Sequence, residues 1–408
     1  MTRGPASATA LGPAFDLLAA YASPDGFFFE REGIGVSAPS VHGGVRIGPE
    51  SGLAGLAHAT SKALRDLREG DVVPLAVGAL PFDGADASLS VPARAVMRAD
   101  SGETWLLDLA GGAELRPFMP ERVIGHLPHE AFRPMQLTEE PAAEEYGAAV
   151  AEAVTSIASG GLDKVVLART LKVDAGRDLD ARKLLHRLRA VEPHCFTFAA
   201  PTPLGELVGA SPELLVSRRG DRVRSTPLAG TAPRAGDPDE DAANAEALAA
   251  SAKNREEHEI VVQAVADVLG AFCDDLTFDA EPVLEPTANV WHLATRFEGT
   301  LSDPGMSALD LVAELHPTPA VCGTPREAAA SKIAELEPFD RGMYAGPVGW
   351  VDANGDGDWA IALRCAALDG ERATLYAGAG IVAASDPAGE VDETERKFKA
   401  FLDSLRWG

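Results

Sequence analysis

A carboxylate on the core-facing side of a helix limits what this chain can fold into. Ile260, Val261, Val265, Val268 and Leu269 recur at helical spacing. Counting back from Val261 and Val265 along that stripe lands on Glu257, and one turn further on Asn254. A charge aimed at a core is costly unless a cation or strong donors meet it. Whatever the fold, it must bring a positive group to Glu257.

Cations are in short supply. The formal charge is −26, from 36 Lys and Arg against 62 Asp and Glu. Such a surface repels nucleic acid and anionic membranes, so neither is expected as a partner. An anionic small molecule would be repelled at long range as well, and a site for one needs local cations or a metal ion. With 408 residues and 46% hydrophobic content the chain can bury a large core, and length alone allows about two to three domains. Cys195, Cys273, Cys322 and Cys365 lie far apart with no CxxC spacing, which reads as buried free thiols in a reducing cytoplasm. The opening Met1-Thr2-Arg3-Gly4-Pro5 leads into no sustained apolar run, so no signal peptide is expected. No stretch reaches the ~18 apolar residues of a membrane span.

Residues 1–135 read as scaffold: short strands and loops rich in Gly and Pro, with Phe27-Phe28-Phe29 as a strand piece, a helix over 53–67 and a strand over 71–80. Thr138-Glu139-Glu140-Pro141 is expected to start a helix with the stripe Tyr146, Val150, Ala153, Val154 and Ile157. A strand from Lys164, a helix near 180–190 and strands near 195–200, 206–210 and 213–218 follow. One helix is predicted over roughly 243–271. Residues 290–300 alternate, with Trp291, Leu293 and Phe297 on one face and His292 on the other. Thr324-Pro325-Arg326-Glu327 reads as a capping box. Strands are predicted over 346–351 and 359–368, joined by an Asn/Gly/Asp turn, and over 376–382. A last helix opens at Asp386-Pro387, with the stripe Phe398, Phe401, Leu402 and Leu405. Interspersed strands, helices and hairpins make the class α+β with largely antiparallel sheet.

Several residues carry chemistry. Glu390, Glu393 and Lys397 share one face of the last helix. With Glu257 they resemble a site for a hard cation such as Mg²⁺, held by one or two carboxylates; a capped, solvated helix start explains the two glutamates equally. Asp352-Ala353-Asn354-Gly355-Asp356-Gly357 imitates half of a Ca²⁺ loop, but Leu363 stands where a bidentate Glu is needed, so a hairpin turn is expected. Lys164 opens an apolar strand; it is either snorkelled to solvent or enclosed as a general base. Glu213 is either a strand-end residue or a buried acid with a raised pKa. His292 by itself reads as structural. Arg364 interrupts an apolar strand, where a buried Arg binds a carboxylate or phosphate.

Taken together, the strings resemble the chorismate-utilising enzymes, most closely isochorismate synthases of the siderophore type. The match runs through Asp163-Lys164-Val165-Val166-Leu167-Ala168-Arg169, Ser211-Pro212-Glu213-Leu214-Leu215, Pro227-Leu228-Ala229-Gly230-Thr231 and Lys253-Asn254-Arg255-Glu256-Glu257-His258. It continues through His316-Pro317-Thr318-Pro319-Ala320-Val321-Cys322-Gly323, Arg341-Gly342-Met343-Tyr344-Ala345-Gly346, Gly378-Ala379-Gly380-Ile381-Val382 and Glu390-Val391-Asp392-Glu393-Thr394. It spans about residues 140–405, in order; residues 1–135 carry less of it.

The resemblance implies one large domain over residues 1–408, with two antiparallel β-sheets forming the core and helices packed outside. It implies Lys164 as general base, Glu213 as general acid, and Glu257 and Glu393 as Mg²⁺ ligands with Asn254 and Glu390 behind them. Gly230, Thr231, Ala320, Arg364, Gly378 and Lys397 match substrate-contact positions, and His292 and Tyr344 fall where they would line the site. At Asn254 some relatives have an acidic residue. The lysine at 164 favours water over ammonia as nucleophile, Ala229 stands where aminodeoxychorismate synthases carry a nucleophilic lysine, and Ala320 where salicylate synthases carry threonine. The implied activity is Mg²⁺-dependent conversion of chorismate to isochorismate. A salicylate synthase and a menaquinone-pathway enzyme are the alternatives. A cytoplasmic monomer without a glutamine amidotransferase subunit is expected.

Overall fold

Apolar strands this numerous need partners on both edges, and the chain supplies them by returning repeatedly to two large sheets. The computed structural model describes residues 6–42, 44–48, 52–109 and 135–406; Met1 to Pro5 and the 110–134 part of the expected scaffold lie outside the described residues. A twelve-stranded sheet runs from Ser7–Leu11 at one edge to Gly323–Thr324 at the other. At its centre lie Phe196–Thr202, Gly205–Ser211, Cys365–Asp369, Arg372–Ile381 and Lys164–Asp174, paired antiparallel. A nine-stranded sheet includes Leu75–Ala79, Leu214–Arg219, Pro347–Asp352 and Gly357–Ile361. The α+β class with antiparallel sheets holds. A third sheet of three strands, Leu228–Pro233, Val290–Ala294 and Val283–Pro286, was not foreseen.

The two large sheets bury their facing side chains against one another, with Phe27, Phe198, Val216, Trp350 and Trp359 in one cluster. Helices Ala181–Val191 and Pro387–Leu405 cover the outer face of the first sheet, through Leu184, Leu188, Phe398 and Phe401. Helices Ala143–Ala158 and Arg326–Leu336 pack around the Lys164 end of it. Residues from the first 109 enter both sheets: Phe27–Arg31 pairs with Phe196–Thr202, and Leu75–Ala79 with Pro347–Asp352. The scaffold part is thus woven into the same core.

Five local readings differ from the structure. Gln136–Glu140 is an edge strand on Lys164–Asp174, not a helix start; Pro141 holds the preceding residue extended, so the helix begins at Ala143. The expected 243–271 helix is two, Pro238–Ala250 and Ala252–Gly270, because Ser251 leaves helical geometry and caps the second through the Asn254 N–H. Phe297 belongs to a separate strand, Phe297–Thr300, in the nine-stranded sheet, and does not share a strand with Trp291. Thr324 is used in a two-residue strand opposite Lys164, and Pro325 starts the next helix with no side-chain cap.

The fifth difference matters most. Residues 359–368 are two strands in two different sheets, Gly357–Ile361 and Cys365–Asp369. The chain changes sheet at Arg364, whose φ of 48° lies in the left-handed region. The Asp352 to Gly357 segment is the hairpin turn expected: the Asp352 carboxylate accepts from the Asn354 and Asp356 N–H groups, and Arg218 pairs with Asp356 at 2.9 Å.

Candidate active site

The sheet crossing opens a cavity. Its wall includes Glu213, Gly230, Thr231, Glu257, His292, Ala320, Tyr344, Arg364, Gly378, Glu393 and Lys397. Lys164, Asn254 and Glu390 do not face it but stand directly behind. Eleven of the expected site residues, scattered over more than 180 positions, thus line one cavity.

Lys164 is fully buried, the first residue of its strand, and its Nζ lies 3.1 Å from Glu257 Oε1. That is the cation the helix stripe demanded. Gly380 makes the pairing possible: a Cβ there would stand 2.0 Å from Glu257 Oε1 and 3.0 Å from Lys164 Cε. Glu213, 2% exposed, precedes the strand Leu214–Arg219. Burial pushes its carboxyl up to about 8, against the pull of Lys164 and Lys397, so at neutral pH it carries a proton it can donate.

The last helix supplies a second group. Lys397 donates to Glu393 Oε1 at 2.6 Å and to the Gly378 carbonyl at 2.8 Å. One turn earlier, Glu390 is buried against Lys253; burial first and Glu393 second push its carboxyl above the usual range. Asn254 turns its amide to Ser251 Oγ at 2.9 Å, and its Cβ lies 3.1 Å from where a Gly230 side chain would begin. Gly230 has φ +79°, which spares the turn a strained side chain.

Arg364 is held by His292 and by Thr287, whose Oγ1 accepts from Nη1 at 2.6 Å. Burial first, then Arg364 and Lys397, drive the His292 pKa well below its ordinary value, so the ring is neutral. Its Nδ1 lies 3.2 Å from the Gly230 carbonyl. The proton therefore sits on Nδ1, and Nε2 is free to accept from Arg364.

The motif reading assigned no role to Arg341, Tyr376 or Gly380, all of which line the cavity. Arg341 is buried, pairs with Glu337 and donates to the Val166 and Val321 carbonyls at 2.8 Å. Tyr376 stacks on Tyr344 with ring centres 5.0 Å apart. Period-two alternation from Gly378 would have found both Tyr376 and Gly380.

The cavity suits a metal with few protein donors. Among the described residues no group of three or more His, Cys, Asp or Glu converges, while Glu257 and Glu393 both face the cavity. Two carboxylates completed by ligand and water oxygens are the donor set Mg²⁺ takes, and the space left at Gly380 lets Glu257 reach its place.

A family model described as chorismate binding enzyme matches residues 122–406. Isochorismate synthase DhbC of Bacillus subtilis is 41% identical over 353 residues, 85% of this chain and 84% of that protein. Among solved structures, a Bacillus anthracis protein assigned as the 2,3-dihydroxybenzoate-specific isochorismate synthase DhbC superimposes with a TM-score of 0.84 at 36% identity, covering 96% of this chain and 99% of that one. MenF, the menaquinone-specific isochorismate synthase of Escherichia coli, superimposes with a TM-score of 0.81 at 25% identity, covering 99% and 95%.

Proposed function

This chain belongs to the chorismate-binding enzymes, and we propose that within them it is an isochorismate synthase, an isomerase that adds water at C2 of chorismate and expels the C4 hydroxyl. The observation that carries this reading is Glu213, a buried carboxyl whose pKa of about 8 keeps it protonated at neutrality in the same cavity as two ligand-facing cations, Arg364 and Lys397. An enzyme that must expel a ring hydroxyl needs such an acid.

In the proposed reaction Lys164, the general base that the resemblance implies, reaches from behind the wall beside Glu257 and takes a proton from water as the water oxygen bonds to C2. The C1=C2 double bond shifts to C1=C6 and the C5=C6 double bond to C4=C5 as the C4–O bond breaks, and the departing hydroxyl takes the Glu213 proton to leave as water. One water enters and one leaves. Arg364, held by Thr287 and His292, binds the enolpyruvyl carboxylate. Ala320 and Gly378 keep the wall low where the ring lies. Glu257 and Glu393 would hold Mg²⁺, with Asn254 and Glu390 behind them, and the bound ion would take the ring carboxylate and draw electron density from the diene.

The matches to DhbC and to the 2,3-dihydroxybenzoate-specific structure support a role in catechol siderophore synthesis. We read the protein as a cytoplasmic monomer that needs no glutamine amidotransferase subunit. Among the described residues no helix is long and apolar enough to cross a membrane.

Purified protein incubated with chorismate and Mg²⁺ should yield isochorismate alone by chromatography, with no added subunit, and sedimentation should give one chain. Salicylate with pyruvate would make it a salicylate synthase, and no turnover would sink the reading. EDTA should abolish turnover and Mg²⁺ restore it. Full turnover by Lys164→Ala would remove Lys164 as the base.

A further inference from the structure

Two buried residues outside the cavity wall converge on Arg364. Glu192 ends the helix Ala181–Val191 and is 7% exposed; Thr287 lies in the turn between Val283–Pro286 and Val290–Ala294 and is 4% exposed. Neither belongs to any motif of the sequence. Both Glu192 oxygens accept from the Ala288 N–H, at 3.1 and 3.0 Å, and one lies 3.9 Å from Arg364 Nη1.

The hydrogen inventory gives the arrangement a direction. Thr287 Oγ1 donates to the Val290 carbonyl at 2.9 Å, so its lone pairs are what face Arg364 Nη1. Glu192 pins the peptide next to that hydroxyl and adds a carboxylate beside the guanidinium. Arg364 needs such support, because its own backbone is in the left-handed region and no regular strand holds it.

We propose that Glu192 and Thr287 form a positioning unit, anchored to each other through the Ala288 N–H, that fixes the Arg364 guanidinium for the substrate's enolpyruvyl carboxylate. This rests on the reading of the cavity as a chorismate site. The unit ties a doubly carboxylated ligand to one orientation: a ligand lacking the side-chain carboxylate gains nothing from it. Because the unit acts on ground-state binding of a carboxylate remote from the reacting carbons, its loss should weaken binding far more than it slows chemistry.

The test is chorismate binding by calorimetry and steady-state kinetics on the full chain for wild type, Thr287→Val, Thr287→Ser and Glu192→Gln. Thr287→Val, near-isosteric but without the acceptor, should raise Kd and KM about tenfold or more, the scale of a lost buried hydrogen bond. Its kcat should stay within about threefold of wild type, since uniform binding is what is lost. Thr287→Ser should restore both constants, and Glu192→Gln should raise KM in the same direction. The double variant Glu192→Gln with Thr287→Val should lose less than the product of the single effects, as expected of one unit. If Glu192→Gln does not fold, the valine and serine variants alone decide. Near-wild-type KM in Thr287→Val, no rescue by serine, or a fall in kcat at unchanged KM overturns the proposal. A wild type that binds chorismate without turning it over sinks the synthase reading and leaves the Kd comparison to decide the positioning unit; a wild type that does neither overturns both.

Discussion

Gly380→Ala separates the stability of this protein from its activity. Gly380 is not in the left-handed region, so alanine brings no backbone strain. The whole cost falls on the new Cβ, 2.0 Å from Glu257 Oε1, 2.8 Å from its Cδ and 3.0 Å from Lys164 Cε. A comfortable carbon–oxygen contact needs over ~1 Å more, close to the optimal separations of non-bonded heavy atoms. Glu257 is at the end of a flexible side chain facing the cavity and can move there. Lengthening its 3.1 Å contact with Lys164 by about 1.3 Å, at an effective dielectric of about 20, loses roughly 1.5 kcal/mol of attraction. For a chain this size that lowers the melting temperature by only a few degrees, at about 2–4 °C per kcal/mol or less. Activity should suffer far more, because displacing Glu257, the proposed Mg²⁺ ligand, by ~1 Å would cost about 10²-fold. The assay is kcat/KM for isochorismate formation beside a thermal melt. A variant with kcat/KM within about threefold of wild type would refute the claim that Glu257 must sit in the Gly380 hollow. A variant that unfolds outright would refute the claim that only a side chain has to move.

Wild-type kcat/KM should fall as pH rises through about 8, where Glu213 loses its proton; Glu213→Gln should lower turnover by about 10²–10⁴-fold and erase that limb. Because Glu213 titrates higher folded than unfolded, the native state holds the extra proton and loses stability as pH climbs from about 4.3 to 8. The melting-temperature gain of Glu213→Gln should therefore grow across that window, and a constant gain would show that burial does not set the shift. His258 and His316 go the other way: burial pushes both down to about 4, so the unfolded chain binds their protons first. Stability present above pH 6.5 should drop by about 3 kcal/mol for each as pH falls to 4, and denaturant midpoints for His258→Gln and His316→Gln should be less acid-sensitive than wild type. Ca²⁺ should leave the melting temperature unchanged, because Arg218 already neutralises Asp356 in the loop that imitates a Ca²⁺ site.

Much of the site was legible because its chemistry is unusual in place. A glutamate on an apolar stripe demands a cation, and the lysine that meets it starts an apolar strand, an equally odd position. Each is visible in the sequence, yet their pairing across 93 residues comes only from the fold. The single strand read over 359–368 failed for a different reason. Ala362 and Leu363 continue the apolar run, and the break is a backbone angle at Arg364, a residue type that does not announce a left-handed φ as Gly or Asn does. The helix split at Ser251 was hidden for a related reason, since a serine inside a helical window is only weakly unfavourable until its hydroxyl finds an N–H to cap. Thr287 and Glu192 had no signal at all. Their role depends on contacts reaching across 77 and 172 residues to Arg364, and neither sits in a periodic segment that would single it out.

The net charge of −26 makes the balance of charge around the cavity the deeper question. Lys164, Lys397, Lys253, Arg364 and Arg341 each lie against one carboxylate: Glu257, Glu393, Glu390, Glu192 and Glu337 respectively. Glu213 adds no charge below its pKa of about 8. The cations that the acidic chain gathers here are thus already matched one for one, and they offer directed N–H groups rather than surplus positive charge. A dicarboxylate entering such a site would leave two negative charges uncompensated in a medium where each costs several kcal/mol. A divalent cation would supply that difference, and of the five pairs it is Glu257 and Glu393 whose carboxylates line the cavity and could be shared with it. The proposed Mg²⁺ follows from this balance as well as from the resemblance: pairing keeps the empty pocket from being a sink for anions at large, and a dianion is favoured only together with its metal.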